Sequence, residues 1–409
     1  MIVVGAGPAG NKTALGLASR GYSVSVIDSR HDIGNKLCTG IVSQECIRRF
    51  PIDLDLVYRN VSSARVVPPT GTPIDFEADS PPATIVDRIA YVASFAAQAR
   101  GAGANYKLGE RVVRIVPERN GVTVVTGQGT YWSRAVVVAA GFGSPLCRQL
   151  GLGTVPDYVT GAQAMVEAKG MVDVEVYLGR DVAPGFFSWV VPIAGNRALV
   201  GLLARKQATR YLTKFIGRQR EAGRISTVIT QPSCWGIPLR PLKKTFQDRV
   251  LVVGDAAGQV KPTTGGGIYY SLMAGEIAAE TLAESLNTGD LSATCLEYYQ
   301  RRWKDLISRE LEVGYSARRL FEFLSDHQIR SLVQQAGANG IRADLMNSAD
   351  GSFDWHSRLI SKVMRHPVLG GALRLVNPLL AHLTRPADAE ALFHEDIIGL
   401  PEPLAKAPN

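Results

Sequence analysis

The stretch MIVVGAGPAGNKTALGLASRGYSVSVID, residues 1–28, decides the fold of this protein. A short apolar strand runs into GAGPAG, an alanine- and leucine-rich helix follows, and a second apolar strand ends on Asp28. In such a β-α-β unit Gly5 permits the tight turn, Gly7 lets a pyrophosphate approach backbone amides, and Asp28 accepts hydrogen bonds from an adenosine ribose. A glycine-rich turn without a nucleotide is the alternative, which this context disfavours. The stretch predicts a dinucleotide site without separating FAD from NAD.

A second motif separates the two cofactors. The apolar strand 250–253 runs into GDAAGQVKPTTGGGIYY, residues 254–270. Asp255, after Gly254, can bind ribityl hydroxyls, whereas a plain helix N-cap is the alternative for this Gly-Asp pair. The amides of Gly265, Gly266 and Gly267, at a helix N-terminus, can face the N1/O2 edge of a flavin and stabilise its reduced ring. NAD needs neither feature, so the two motifs together predict FAD.

The predicted fold class is α/β, with a Rossmann-type FAD-binding domain, an inserted antiparallel-sheet substrate domain and a helical C-terminal region. Apolar runs at 134–140 and 250–253 end at glycine, as parallel strands feeding a ligand do. Residues 122–126, 173–177 and 188–191 suit a second, antiparallel sheet. The predicted bounds are 1–75, 76–155 and 246–290 for the three parts of the FAD-binding domain, 156–245 for the substrate domain and 291–409 for the helical region.

Composition and charge narrow the class of protein. Of 409 residues, 46% are apolar and 20% charged, which excludes a disordered chain. A net charge of +8 favours an acidic partner such as a phosphate, a lipid headgroup or an acidic protein, and we expect no nucleic acid. The five cysteines have no metal-ligand spacing, which favours a reducing, cytoplasmic setting without a metal site. No signal peptide or membrane-spanning run is expected, although the short first strand leaves open a start slightly upstream.

Beyond the two motifs, residues 1–320 resemble the geranylgeranyl reductase family, in the flavoprotein group that includes para-hydroxybenzoate hydroxylase. The resemblance is densest in GAGPAG, KLCTG (36–40), Asp87-Arg88, PGFFSWVVP (184–192) and the second motif. The family's Tyr-x-Trp-x-Phe-Pro segment reads FSWVVP here, which removes a hydroxyl and an aromatic ring but keeps an apolar tunnel. The resemblance implies FAD contacts at Ala9, Gly10, Asp28, Cys38, Thr39, Ile41, Arg88, Val112, Asp255, Gly267 and Ile268.

Candidate substrate and catalytic residues follow from strand alternation and from the resemblance. Phe187 and Trp189 fall on one face of a strand because side chains alternate, so with Pro192 they can line a slot for a polyprenyl chain. A plain core role is the alternative. Cys38 occupies the position of the family's cysteine, where a thiol beside the flavin would gate or position substrate; a small buried hydrophobe is the alternative. Tyr269, just past the glycines, is the candidate proton donor.

The predicted activity is FAD-dependent saturation of C=C bonds in a geranylgeranyl or other polyprenyl chain, carried by a diphosphate, glycerolipid, quinone or chlorophyll-type head. The electron donor, whether ferredoxin, NAD(P)H or another, stays open. A flavin monooxygenase is one alternative, but no second nucleotide motif is found. An electron-transfer flavoprotein that reduces a quinone is another, and the cysteine spacing speaks against the iron–sulfur cluster such proteins often carry.

Residues 356–385 contain no acidic residue, so their charge is entirely basic. The basic residues alternate with leucines and valines: Arg358, Lys362, Arg365, Arg374 and Arg385. Such a segment can lie on anionic lipid, which predicts peripheral membrane contact. A helix docked on the protein body is the alternative.

Overall fold

The computed structural model describes residues 1–337 and 353–365, and the strands in these residues form four sheets. The strands are β1 (Ile2–Val4), β2 (Ser25–Asp28), β3 (Ile41–Ser43), β4 (Val57–Val61), β5 (Ser63–Val67), β6 (Ile74–Glu77), β7 (Ala83–Val86), β8 (Asn105–Leu108), β9 (Val112–Pro117), β10 (Val122–Thr126), β11 (Thr130–Ser133), β12 (Val136–Val138), β13 (Tyr158–Ala168), β14 (Val174–Leu178), β15 (Phe187–Pro192), β16 (Arg197–Ala204), β17 (Ile225–Val228), β18 (Ser233–Pro238), β19 (Phe246–Gln247) and β20 (Val250–Val252). The helices are α1 (Pro8–Ala18), α2 (Gln44–Arg49), α3 (Arg88–Gly101), α4 (Leu146–Gln149), α5 (Ala208–Glu221), α6 (Ile268–Thr288), α7 (Ala293–Phe323), α8 (Asp326–Ala336) and α9 (His356–Arg365).

A six-stranded sheet forms the first layer, in the order β19-β20-β12-β1-β2-β8. Every neighbouring pair except β19 with β20 is parallel. The central strands β1, β12 and β20 are short valine-rich runs buried on both faces, as strands of a covered parallel sheet must be. The predicted α/β class and the Rossmann-type unit of residues 1–28 are confirmed.

The parallel register brings both sequence motifs to one edge of this sheet. Ile27 of β2, Val4 of β1, Val138 of β12 and Val252 of β20 are aligned across the four strands, and each is the last or next-to-last residue of its strand. Because parallel strands share their carboxyl edge, Gly5, Asp28 and Gly254 meet there, where ligands of open α/β sheets bind.

Helices α1 and α6 pack so closely that glycine is required between them. A Cβ at Gly275 of α6 would lie 2.5 Å from the carbonyl oxygen of Ala9 in α1. The Thr13 hydroxyl donates to the carbonyls of Ala9 (2.8 Å) and Gly275 (3.1 Å). This contact fixes α6 against α1, so the N-terminus of α6 faces the same edge as the first glycine turn.

An eight-stranded sheet forms the second layer, in the order β17-β13-β16-β15-β14-β5-β6, with β18 paired on β13. Its pairs are antiparallel except β5 with β14. Helix α5 packs against β13 and β16 and buries Leu212, Phe215 and Ile216. One face of this sheet is therefore covered by α5, which leaves the other face for a ligand.

One assignment of a strand to a sheet differs from the sequence-based expectation. Residues 122–126 form β10 in a separate three-stranded sheet, β11-β10-β9, so their assignment to the second antiparallel sheet is wrong. The reason is local: β10 pairs with its two neighbours along the chain, and alternation alone does not reveal the partner. Strands β5 and β6 join the eight-stranded sheet although they precede residue 78. The predicted domain bounds stay a prediction.

The helical region begins with α7, whose N-cap Ser292 accepts from the amide of Cys295, and α7 ends at Phe323. Helix α8 starts with a capping box of Ser325 and Gln328. Helix α9 packs on α7; residues 366–385 of the basic segment lie outside the described residues. Within residues 1–337 and 353–365, no helix is both long and apolar enough to cross a bilayer.

The α1–α6 contact predicts opposite effects of one substitution at two helical glycines. Gly275→Ala lowers the free energy of unfolding by about 1–3 kcal/mol, because its methyl group overlaps the Ala9 carbonyl. Gly217→Ala in α5, where a Cβ meets nothing within 4 Å, raises it by up to ~1 kcal/mol through helix propensity. Denaturant unfolding of both variants measures the effects, and a stabilised Gly275→Ala protein would contradict the packing.

Candidate active site

One cavity of about 1250 Å³ lies between the carboxyl edge of the six-stranded sheet and the open face of the eight-stranded sheet. Most of the site residues predicted from the sequence line it: Gly5, Gly7, Ala9, Asp28, Cys38, Thr39, Ile41, Arg88, Val112, Phe187, Trp189, Gly254, Asp255, Gly265, Gly266, Gly267, Ile268 and Tyr269. Gly10 and Pro192 do not. Gly10 packs under the first turn, where a Cβ would lie 1.9 Å from the Gly5 carbonyl oxygen. Pro192 is three residues from Trp189 and therefore on the opposite face of β15.

The first glycine turn leaves its backbone accessible at one point. A Cβ at Gly7 would meet nothing within 4 Å, whereas a Cβ at Gly5 would lie 2.3 Å from the carbonyl oxygen of Ala139. The Asp28 carboxylate accepts from the amides of Ala6 (2.6 Å) and Arg30 (2.8 Å), which fixes its position beside the turn. Open backbone amides at the start of α1 next to an oriented carboxylate suit a dinucleotide.

The segment from Gly34 to Gly40, the Cys38 loop, is held by Arg88 at the start of α3. Nη1 of Arg88 donates to the carbonyls of Gly34 and Lys36, the latter at 2.8 Å. Arg88 is 8% exposed, and its Nε has no hydrogen-bond partner among residues 1–337 and 353–365. A buried donor without a partner beside a cavity points to a ligand acceptor. The residues present therefore fit a phosphate-bearing cofactor.

Lys36 of the Cys38 loop forms an ion pair with Asp255 of the second motif. The pair joins the loop to the carboxyl edge of β20, and both side chains stay partly exposed to the cavity. A hydroxyl-rich ligand chain reaching Asp255 would meet a carboxylate already oriented by a cation. Sequence analysis quoted Lys36 only as part of KLCTG and did not assign it to the site.

Tyr269 follows the glycine loop, residues 261–267, and is 4% exposed. Its hydroxyl donates to Glu45 at 2.8 Å, and Glu45 also accepts from the indole of Trp355 at 2.8 Å. Burial, then the bond to Glu45, raises the pKa of Tyr269. The phenol therefore stays neutral and donates its O–H to the Glu45 carboxylate, which orders the wall of the cavity beside the N-terminus of α6.

A buried ion pair closes the cavity beside the glycine loop. Nζ of Lys261 donates to Asp354 at 2.7 Å, and the two side chains are 6% and 2% exposed. Asp354 also accepts from the Ser43 hydroxyl, and Nζ of Lys261 lies 4.6 Å from the ring centre of Phe353. Lys261, Phe353 and Asp354 all line the cavity. A segment distant in sequence thus contributes one wall of the site.

His356 fixes this same wall from behind. Its Nε2 donates to the Phe353 carbonyl at 2.8 Å, and its Nδ1 accepts from the Thr263 hydroxyl at 2.6 Å. Burial lowers the pKa of His356 to about 4, and the nearby Lys261 adds to that shift. The neutral imidazole therefore ties residues 353–356 to the glycine loop.

The other end of the cavity is apolar and belongs to one face of the eight-stranded sheet. The strand register places Phe187, Trp189, Val191, Val174, Val176, Leu203, Trp235, Ile237, Ala64 and Phe76 on that face, and all of them line the cavity. Gln163 lies on the same face and donates through Nε2 to the carbonyl of Cys38 at 3.3 Å. The Cys38 loop therefore lies where the polar end meets the apolar end.

Sequence analysis missed two kinds of residue. Asp354 and Phe353 carry no motif, and only the fold brings them to the glycine loop. Gln163 and Trp235 lie on strands that were not predicted, and which face of these strands lines a cavity follows only from sheet order. Lys261 lay in the quoted second motif, and its charge among glycines was a signal that could have been used.

Comparison with known proteins shows which protein family the chain matches. The family model described as lycopene cyclase protein matches residues 1–336. Digeranylgeranylglycerophospholipid reductase 1 of Methanococcoides burtonii is 31% identical over 357 residues, covering 81% of this chain and 86% of the relative. The digeranylgeranylglycerophospholipid reductase of Methanocaldococcus jannaschii is 29% identical, with 82% and 90% covered.

Solved structures show the same fold. A geranylgeranyl bacteriochlorophyll reductase-like protein from Thermoplasma acidophilum has a TM-score of 0.79 at 22% identity, covering 92% of this chain and 98% of that one. The halogenase PltM in complex with FAD has a TM-score of 0.62 at 14% identity, with 96% and 94% covered. With its relatives named reductases, the chain is an oxidoreductase of the flavoprotein class. On the sequence matches, the chain belongs to the lycopene cyclase protein family and to the geranylgeranyl reductases.

The low pKa of His356 predicts a pH-dependent contribution to stability. Between about pH 6.5 and pH 4 the unfolded chain binds a proton at this residue that the folded chain does not, so stability falls as the pH falls. In the His356→Gln variant this pH-dependent loss of unfolding free energy, about 3 kcal/mol, is absent. The difference in unfolding free energy between wild type and variant should therefore shrink from pH 7 to pH 4. His327→Gln, at an exposed position, is the control, and a pH-independent difference for His356→Gln would contradict the assignment.

Proposed function

We propose that this protein is an FAD-dependent reductase that saturates C=C bonds of geranylgeranyl chains. The observation that carries the proposal is the continuity of the cavity from the glycine turns of the six-stranded sheet to the apolar face of the eight-stranded sheet. A dinucleotide fits the first end, and a long hydrocarbon fits the second. The names of the relatives agree with this division.

The cofactor end is assigned to FAD by the chemistry of its donors. Asp28 would bind the adenosine ribose, the open backbone at Gly7 and the unpartnered Nε of Arg88 would bind phosphate oxygens, and Asp255 would bind ribityl hydroxyls. The amide of Gly267 at the start of α6 would stabilise negative charge on the reduced ring, whereas the amides of Gly265 and Gly266 donate within the loop, to the Lys261 carbonyl (2.9 Å) and the Thr264 hydroxyl (3.4 Å). When bound, FAD supplies a hydride for one alkene carbon while a proton reaches the other.

The chain's own residues position the alkene and exclude water. Phe187, Trp189 and Val191 offer an apolar surface on which only the hydrocarbon is stabilised. Cys38, half-buried on the loop that joins the two ends, lines the cavity and would touch both cofactor and substrate. Tyr269, whose hydroxyl donates to Glu45, supports the cavity wall.

The proposed substrate is a glycerophospholipid that carries geranylgeranyl chains, as in the names of the relatives. Its anionic head group suits a basic protein, whose net charge is +8. Because such a lipid resides in membranes, the proposal includes peripheral contact with a lipid surface. A reductant is also required, and ferredoxin and NAD(P)H are the two candidates to compare.

Product analysis tests this function. Anaerobic FAD-loaded protein, reduced with dithionite, should add two hydrogen atoms per double bond to a geranylgeranyl glycerophospholipid, as read by mass spectrometry of the lipid. The same protein should leave the fully saturated lipid unchanged. Absence of any mass gain with a fully reduced, FAD-loaded protein would contradict the proposal, and an oxygen-dependent gain of one oxygen atom would favour a monooxygenase.

Replacing Asp28 tests the cofactor. The purified protein should release one FAD per chain on denaturation, and Asp28→Ala should weaken FAD binding by about 1.5–3 kcal/mol through loss of a charge-assisted hydrogen bond. Titration of the apoprotein with FAD measures the change in Kd. Asp305→Ala, on the exposed side of α7, is the matched control and should bind FAD as wild type does. Equal affinities of the two variants would remove Asp28 from the cofactor site.

A further inference from the structure

Two tryptophan rings lie against two glycines on the face of the eight-stranded sheet that lines the cavity. Trp189 on β15 pairs with Gly201 on β16, and Trp235 on β18 pairs with Gly161 on β13. A Cβ at Gly201 would lie 2.3 Å from Cζ2 of Trp189, and a Cβ at Gly161 would lie 2.8 Å from Cζ2 of Trp235. Each indole therefore fills the space that a side chain on its paired residue would need.

The two indoles cover glycines that lie on neighbouring strands. Strands β13 and β16 are neighbours, and they are flanked by β18 and β15, which carry the two tryptophans. Side chains of a strand normally stand perpendicular to the sheet. Here each indole instead leans over the glycine of the neighbouring strand, while Leu203 and Gln163, the residues that pair with Gly161 and Gly201, stand on the same face.

Packing contacts, and no hydrogen bond of its indole N–H within the described residues, hold the Trp189 ring against the sheet. This residue is 7% exposed, and its indole N–H has no hydrogen-bond partner in the part of the chain that the structure describes. A ring without a hydrogen bond moves when its packing surface changes. A methyl group on the glycine beneath it would therefore lift the ring into the cavity.

We propose that Gly161 and Gly201 are positioning residues that determine which chain lengths the site accepts. This inference rests on the proposed function. By keeping both indoles against the sheet, the glycines leave clearance for a long methyl-branched chain to lie along the apolar end. A short chain fills only part of the apolar end. A raised indole ring would therefore weaken binding of the long chain more than binding of the short chain.

Gly161→Ala is the direct test, because its three nearest clashes are with the Trp235 ring rather than with backbone, whereas a Cβ at Gly201 also meets the Ala162 carbonyl oxygen at 2.7 Å. The measured quantity is kcat/KM for a geranylgeranyl lipid divided by kcat/KM for the geranyl lipid with the same head group. This ratio should fall by about tenfold or more, the discrimination expected from a small steric change in an apolar pocket. An unchanged ratio would overturn the proposal.

A binding measurement supplies a readout that does not depend on turnover. The saturated C20 lipid, titrated against oxidised FAD-loaded protein and followed by flavin absorbance, should bind Gly161→Ala about tenfold or more weakly than wild type. The double variant Gly161→Ala/Trp235→Leu removes the overlapping ring and should recover both binding and the ratio. A double variant that is as impaired as the single variant would overturn the proposal. The double variant also keeps the test decisive if Gly161→Ala alone fails to fold.

Gly121 provides a matched control. A Cβ there would lie 2.5 Å from Cε2 of Trp132, but this indole is 60% exposed and lies in the β9–β11 sheet, outside the cavity. Gly121→Ala should leave the ratio unchanged, and a fall equal to that of Gly161→Ala would overturn the proposal. Wild type that reduces neither lipid would instead overturn the proposed function, which keeps the two failures distinguishable.

Discussion

Parallel pairing of β2, β1, β12 and β20 is the constraint on which the site depends. Since these strands end level with one another, the residues that follow or end them, Gly5, Asp28 and Gly254, meet at one edge without any direct bond between the two motifs. The contact of Gly275 with Ala9 then directs the start of α6 to the same edge. Both helix N-termini therefore face one cavity, where their partial positive charges add.

The eight-stranded sheet supplies the apolar surface that the six-stranded sheet does not offer to the cavity. The parallel sheet offers amides, carboxylates and Arg88, whereas the eight-stranded sheet offers a broad apolar face backed by α5. The Cys38 loop joins them through three separate contacts, made by Arg88, by Asp255 with Lys36, and by Gln163. A reaction that moves charge onto a hydrocarbon needs this arrangement, because the polar groups must stabilise the cofactor while water is kept from the alkene.

The parts of this account that the sequence predicted are local in the chain. The β-α-β unit, the Gly-Asp motif and the shared face of Phe187 and Trp189 depend on spacing within a few residues, and the structure shows each of them. The pairing of β10 with its neighbours, and the proximity of Asp354 to Lys261, depend on contacts that spacing does not encode. Pro192 is a different case, because alternation alone already puts it on the face opposite Phe187 and Trp189, and it does not line the cavity.

The central claim is that one cavity brings a reduced flavin and a prenyl chain together, and anaerobic reoxidation of the flavin tests it most directly. FAD-loaded protein is reduced to completion without excess reductant and mixed with lipid while the visible absorbance of oxidised flavin is followed. The account predicts that absorbance returns with the geranylgeranyl lipid in proportion to the double bonds added, and does not return with the saturated lipid. A flavin that stays reduced with both lipids would contradict the account.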